Sequence, residues 1–147
     1  MTSRLVRVLL ALLGFFVFST SFAQTSFLCV ADKSSGVYFN KNTKSWEGTH
    51  FKADTKYLVK RPEKPSPPSW IVTRIGSSAP LAWCKEDFNE LGFLSCEGFY
   101  VFKMNKKNLR FLNAYLIGYV TDGLENEITG GEGSNTPNVE IGKCSPL

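Results

Sequence analysis

The side chains that most often perform nucleophilic and acid–base chemistry are sparse in this 147-residue chain. His50 is its only histidine, and no serine lies in the Gly-x-Ser-x-Gly motif that exposes a catalytic nucleophile. Acyl transfer needs a nucleophile, a base and an orienting acid close together. Because His50 has no such partners nearby in the sequence, we predict that it is a surface side chain.

Carboxylates offer a second chemistry, because glycan hydrolysis needs only two of them at a set separation. Glu97 is the most interesting candidate, since it lies between Leu94 and Phe99 and next to Cys96. A solvated strand position is the simpler interpretation, because charged side chains are seldom buried without a partner. A glycan hydrolase that uses Glu97 and a second carboxylate is the enzymatic alternative.

A long acidic loop is predicted over residues 122–137, a stretch that contains no basic residue. Its carboxylates are Asp122, Glu125, Glu127 and Glu132. Their order lacks the alternating ligand pattern of a calcium-binding EF-hand loop, so no metal site is predicted here. We predict a solvated loop that contacts a partner, and a basic enzyme such as lysozyme is one candidate.

Basic and aromatic residues occur together in one segment, as they do in proteins that bind single-stranded nucleic acid. The basic residues are Lys103, Lys106, Lys107 and Arg110. The net charge of the whole chain is only +4, however, and the acidic loop makes the charge distribution dipolar. Lysines at exposed hairpin turns also prevent strands from pairing edge to edge. No nucleic-acid partner is predicted.

The first 23 residues have the pattern of a signal peptide. Two arginines precede an apolar run from Val8 to Phe18, and the small residues Ser21 and Ala23 fit a signal-peptidase site. The apolar run is shorter than the roughly 20 residues of a membrane-spanning helix. We expect cleavage after Ala23 and a single mature domain of residues 24–147 that does not insert into a membrane. Its expected location is the periplasm or outside the cell.

Cysteine usage agrees with export. All four cysteines follow the leader, and an even number in a small exported chain indicates two disulfides. No two cysteines have the close spacing of zinc ligands. Neither a metal nor a cofactor is predicted.

Short strands separated by turn residues dominate the mature chain, a pattern typical of all-β domains. The candidates are Phe27–Ala31, Gly36–Phe39, Trp46–Phe51, Lys56–Lys60, Trp70–Ile75, Phe99–Met104, Leu109–Thr121 and Asn138–Lys143. The segment Leu109–Thr121 is long enough for two strands bent at Gly118. A helix is its alternative, because Phe111, Tyr115 and Tyr119 are spaced four residues apart. One further short helix is predicted at Lys85–Leu91.

Two segments, 37–46 and 101–111, share a sequence in which aromatic residues flank an Asn-Lys turn. Each is predicted to form a β-hairpin with a loop of about four or five residues.

The preferred disulfide pairing is Cys84 with Cys96 and Cys29 with Cys144. The first pair is close in sequence, and the second lies in the first and last predicted strands, which are often neighbours in a closed sheet. The other two pairings join both termini to the middle of the chain, which suits a sandwich better than a barrel.

Three segments resemble a group of small exported proteobacterial proteins. They are Cys29–Lys33, Asn105–Phe111 with Gly118-Tyr119, and Ile141–Ser145. The resemblance implies export and a bacterial envelope setting, and it includes no catalytic motif.

We therefore predict an all-β, disulfide-stapled barrel or sandwich of about eight to ten short antiparallel strands. The favoured function is that of an exported, non-enzymatic binding protein that meets a protein or another component of the bacterial envelope. The alternatives are the glycan hydrolase and an inhibitor of a basic enzyme that acts through residues 122–132.

Overall fold

Nine β-strands form most of the described chain, which confirms the predicted fold class and strand number. The computed structural model describes residues 26–63, 67–119 and 136–147. The predicted signal peptide lies outside the described residues, and so do Asp122, Glu125, Glu127 and Glu132. The strands are β1 (Ser26–Asn40), β2 (Ser45–Phe51), β3 (Lys56–Lys60), β4 (Trp70–Arg74), β5 (Pro80–Cys84), β6 (Phe93–Gly98), β7 (Val101–Asn105), β8 (Arg110–Tyr115) and β9 (Asn138–Pro146).

The sheet closes on itself through its first and last strands. The strand order is β2-β1-β3-β4-β5-β6-β7-β8-β9, and β1 also pairs with β9. Strand β1 and strands β3 to β9 thus form a closed antiparallel barrel, and β2 extends the sheet beside the second half of β1. Of the two architectures that the sequence left open, the protein adopts the barrel.

Strand β1 is continuous where the sequence predicted two separate runs. Its first half pairs with β3 and its second half with β2, while β9 pairs along the opposite edge. A β-bulge between Ala31 and Lys33 interrupts the register with β9. Because a bulge inserts an extra residue without ending the pairing, the polar segment 32–35 remains part of the strand.

Strands β5 and β6 are absent from the sequence prediction, and the predicted helix at Lys85–Leu91 is wrong. That segment is an irregular loop that joins the two strands. Only two residue pairs connect β5 to β6 in the ladder, Ala82 with Gly98 and Trp83 with Glu97. Large apolar residues occupy outward-facing positions of both strands, Trp83 on β5 and Phe93 on β6, and they obscure the alternation of apolar and polar residues by which a strand is predicted.

The segment Leu109–Thr121 also differs from its prediction. It contains one strand, β8, followed by a single 3-10 turn at Ile117–Tyr119. Within residues 109–119 there is neither a second strand nor an α-helix. The four-residue spacing of the aromatic side chains therefore does not reflect a helical face.

Both predicted hairpins are confirmed, as β1–β2 and β7–β8. The residues that end their loops, Lys44 and Leu109, have φ values of 52° and 56°. The side chains of Asn40 and Asn105 accept hydrogen bonds from the backbone N–H two residues later, at 3.0 and 2.8 Å. This Asx-turn geometry starts each loop, so the shared Asn-Lys sequence has a common structural cause.

The barrel interior contains both disulfides, Cys29–Cys144 and Cys84–Cys96, which confirms the predicted pairing. All four cysteines are buried. The rings of Phe102 and Phe111, which are also buried, stack with centroids 5.4 Å apart. Two covalent bonds and packed aromatic rings therefore line the interior of the barrel.

One end of the barrel is closed by aromatic rings, and we call it the aromatic end. The rings of Phe27, Trp70 and Phe88 contact one another with centroid separations of 5.2–5.9 Å. Asp87 accepts a hydrogen bond from Trp70 Nε1 at 2.8 Å and forms a salt bridge with Arg61 at 2.5 Å. The Arg61 guanidinium also lies 4.6 Å from the centre of the Trp70 ring. At this end, packed and paired side chains cover the interior.

Candidate functional site at the polar end of the barrel

Buried polar side chains are gathered near the opposite end of the barrel, which we call the polar end. Tyr57 on β3 and Asn113 on β8 are 0% exposed, and Glu140 on β9 is 6% exposed. Each alternates with outward-facing neighbours along its strand, so all three side chains point into the barrel. The antiparallel order brings together three residues that are far apart in the sequence.

A chain of hydrogen bonds connects these groups. Asn113 Nδ2 donates to the Tyr57 hydroxyl at 2.9 Å, and that hydroxyl donates to Glu140 Oε2. Thr55 Oγ1 donates to the other carboxylate oxygen, Oε1, at 2.9 Å. Both oxygens of the buried Glu140 side chain therefore have a donor, as buried polar groups require.

The carbonyl oxygen of Asn113 has no such partner. Asn113 Oδ1 is the only buried side-chain polar atom in the described ranges without a hydrogen bond. Exchanging the positions of the amide oxygen and nitrogen of Asn113 would not give the oxygen a donor, because the single proton of the Tyr57 hydroxyl is already donated to Glu140. An unpaired buried acceptor costs about 1–3 kcal/mol. The polar network therefore contains one acceptor whose hydrogen-bonding capacity is unused.

The environment of Tyr57 keeps its phenol protonated. Burial raises the pKa of Tyr57 well above its ordinary value of 10.0, and the hydrogen bond to Glu140 raises it further. The positive charge of Arg74 and the hydrogen bond from Asn113 act in the opposite direction and are weaker. Tyr57 therefore acts as a hydrogen-bond donor to Glu140 across the physiological pH range.

Arg74 provides a positive charge beside this network. It is the cross-strand partner of Tyr57, so the two side chains are on the same face of the sheet. Partial burial lowers the pKa of Arg74, but its attraction to Tyr100, Tyr57 and Glu140 outweighs this effect and raises the pKa overall. Because the side chain also reaches solvent, it links the buried network to the surface.

Exposed apolar side chains surround the polar end. They extend from the connections that follow β4, β6 and β8, and we call them the apolar rim: Ile75 (52% exposed), Phe99 (64%), Leu116 (57%) and Tyr119 (62%). The ring of Tyr119 packs against Trp46 on β2 at 5.3 Å, which holds that part of the rim. A grouping of large exposed apolar residues around a polar centre is typical of an interaction site.

The residues proposed from the sequence lie elsewhere. Glu97 is exposed on the outer surface of β6, and His50 is exposed on β2, where its ring Nδ1 is 3.2 Å from Ser35 Oγ. The carboxylates of the acidic loop belong to the undescribed residues. Their flanking residues Tyr119 and Thr136 are at the polar end, because β8 ends and β9 begins there.

Three further searches for a sign of function concern metal sites, membrane-spanning helices and similar proteins. Among the described residues, no group of three or more histidine, cysteine, aspartate or glutamate side chains is arranged to hold a metal ion. None of the described segments forms an apolar helix of membrane-spanning length. The chain matches no protein-family model, no curated protein and no solved structure.

Sequence reasoning missed Glu140 although one signal was present. In the segment Asn138–Cys144, the apolar residues Val139 and Ile141 suggest an inward face. The disulfide, however, requires Cys144 to point inward, and strand alternation then places Glu140 on the same inward face. The inward orientation of Cys144, and not the apolar pattern, shows which residues of β9 face the interior.

Proposed function

We propose that this protein is an exported, non-enzymatic binding protein of the bacterial envelope and that it meets its partner at the polar end of the barrel. The ring of exposed apolar side chains around the polar end of the barrel carries this proposal. A partner that covers these side chains gains apolar burial. Arg74, which is exposed at the same end, offers a charged donor to that partner.

The disulfides indicate an oxidising compartment outside the cytoplasm, since such bonds are rare in reducing compartments. The predicted leader of residues 1–23, with cleavage after Ala23, supplies the route of export in this proposal. The resemblance to exported proteobacterial proteins supports the same setting.

Binding explains the site better than glycan hydrolysis does. Glu140 is the only buried carboxylate of the described residues, and its two oxygens are occupied by the hydroxyls of Tyr57 and Thr55. Glu97, the carboxylate favoured from the sequence, is on the outer surface. A hydrolase needs two carboxylates that face one substrate, so the enzymatic alternative has less support.

Inhibition of a basic enzyme such as lysozyme is a special form of the binding proposal. The chain on either side of residues 122–132 is anchored at the polar end, which supports a shared contact surface. In this form, inhibition weakens with salt, because exposed charges are screened. Changing Asp122, Glu125, Glu127 and Glu132 to their amides should abolish inhibition of lysozyme and leave the melting temperature unchanged.

The main experiment compares rim variants in a pull-down from bacterial envelope extract. Immobilised wild-type protein should retain a partner identified by mass spectrometry, and the Phe99→Ser/Leu116→Ser variant should retain it at least about tenfold less, since anchor residues each contribute more than about 1 kcal/mol. The matched control is Leu91→Ser/Phe93→Ser at the aromatic end, where the side chains are similarly exposed, at 66% and 52%. Equal capture by both variants would contradict the proposal.

A further inference from the structure

The outer surface of β7, β8, β9 and the start of β1 contains exposed aliphatic side chains at its centre. Leu112 and Ile141 are direct cross-strand partners, 38% and 48% exposed. Val30 on β1 is 36% exposed and lies across from β9. These side chains point outward because Phe111, Gly142 and Ala31, their neighbours along the strands, point into the barrel.

Lysines border these aliphatic residues in the same register. Lys103 is the cross-strand partner of Leu112, Lys33 of Ile141, and Lys143 of Val30. All three lysines are exposed. We call Val30, Leu112 and Ile141 together with Lys33, Lys103 and Lys143 the basic-apolar face.

Positive charge dominates this side of the barrel. Arg110 pairs with Lys143 and adds a fourth cation, whereas the one exposed carboxylate within these four described strands is Asp32 at the bulge. The four neighbouring strands give the face a width of roughly 15 Å at about 4.8 Å per strand. The face is thus a continuous surface with an aliphatic centre and a cationic border.

We propose that the basic-apolar face docks peripherally on an anionic phospholipid membrane. Protein–protein contacts are depleted in lysine and enriched in tyrosine, tryptophan and arginine, which differs from the composition of this face. Near an anionic bilayer, each lysine adds a favourable electrostatic contribution, and its long stem allows the ammonium group to reach the lipid phosphates. The aliphatic centre then contacts the boundary between headgroups and acyl chains.

The face is separate from the polar end. The docked protein would therefore keep its rim open to a partner, and the two proposals stand or fall independently.

Vesicle co-sedimentation tests the docking proposal directly. The purified exported protein is mixed with vesicles that contain phosphatidylglycerol or with vesicles of phosphatidylcholine alone. We expect binding to the anionic vesicles that weakens as salt is raised, and at least about tenfold weaker binding to the neutral ones. Equal binding to both compositions, or to neither, would overturn the proposal, and the second result is the one expected of a face that binds an acidic protein.

Charge-reversal variants locate the binding on the molecule. Lys103→Glu/Lys143→Glu should weaken binding to the anionic vesicles at least about tenfold, because two favourable charges are replaced by repulsive ones. The control, Lys41→Glu/Lys44→Glu, makes the same change in net charge on the exposed tip of the β1–β2 hairpin. A loss in the control as large as that in the test variant would show that net charge, and not this face, causes binding.

An aliphatic variant separates docking from simple ion attraction. Ile141→Gln retains every charge and should still weaken binding, with the remaining binding more sensitive to salt. Because all the altered side chains are exposed, the melting temperatures of the variants should match that of the wild type. Unchanged affinity of Ile141→Gln would remove the aliphatic part of the proposal.

Discussion

Tyr57 is the residue through which the buried polar network is connected. Its hydroxyl is both the donor to Glu140 and the acceptor for Asn113. Removal of this single oxygen leaves one buried amide without an acceptor and one buried carboxylate with one donor fewer. The network therefore depends on Tyr57 more than a single hydrogen bond would suggest.

The variant Tyr57→Phe should be destabilised by about 1–3 kcal/mol in urea unfolding, because buried polar groups lose their partners. Tyr38→Phe is the matched control, since its hydroxyl also donates to a glutamate, Glu47 Oε2 at 3.0 Å, but near the surface. Polar pairs near the surface contribute little to stability, so the control should change little. Equal losses in the two variants would show that the buried network has no special role.

On strand β9, the pattern of apolar residues gives the wrong inward face. Its aliphatic residues Val139 and Ile141 face outward, while Glu140, Gly142 and the disulfide-bonded Cys144 face the interior. The space inside the barrel is too small for large side chains on every strand. Gly142, which has no side chain, leaves room for its neighbours where β9 pairs with β1 and β8.

Gly142→Ala should be strongly destabilising, by about 1–3 kcal/mol or more, because overpacking forces the surrounding backbone to move. An added methyl group would collide with the carbonyl oxygen of Val30 and lie 2.7 Å from the ring of Phe111. Gly48→Ala on β2 is the control, since no atom lies within 4 Å of the added carbon. Chemical denaturation of both variants measures the difference, and a stable Gly142→Ala protein would contradict this packing.

Much of the fold was predictable because its signals are local. The β-rich segments, both hairpins and the disulfide pairing follow from strand composition, from the Asn-Lys turns and from cysteine spacing. Strands β5 and β6 were missed because the exposed apolar residues Trp83 and Phe93 obscure their alternating pattern. The polar network was missed because Tyr57 is separated from Glu140 by 83 residues, and only the barrel closure brings them together.

At the scale of the whole molecule, the two disulfides differ in how much of the chain they restrain. Cys29–Cys144 joins residues 115 positions apart, whereas Cys84–Cys96 joins residues 12 positions apart. In the chain-entropy view, a bond that closes a longer loop removes more freedom from the unfolded state. The bond between the terminal strands should therefore contribute more to stability.

Removal of Cys29–Cys144 by a double Cys→Ala change should cost about 4–5 kcal/mol, against about 3 kcal/mol for Cys84–Cys96. Urea unfolding of the two double variants under identical non-reducing conditions gives the comparison. The opposite order would show that the local bond, which reinforces the short β5–β6 pairing, is the more important restraint.

The pairing of β1 with β9 also makes closure of the barrel depend on the two ends of the chain meeting. While β9 is detached, the facing edges of β1 and β8 have no partner, and unpaired edges are the places where strands of different chains join. A folding chain that has not yet docked its last strand is therefore open to self-association through these two edges.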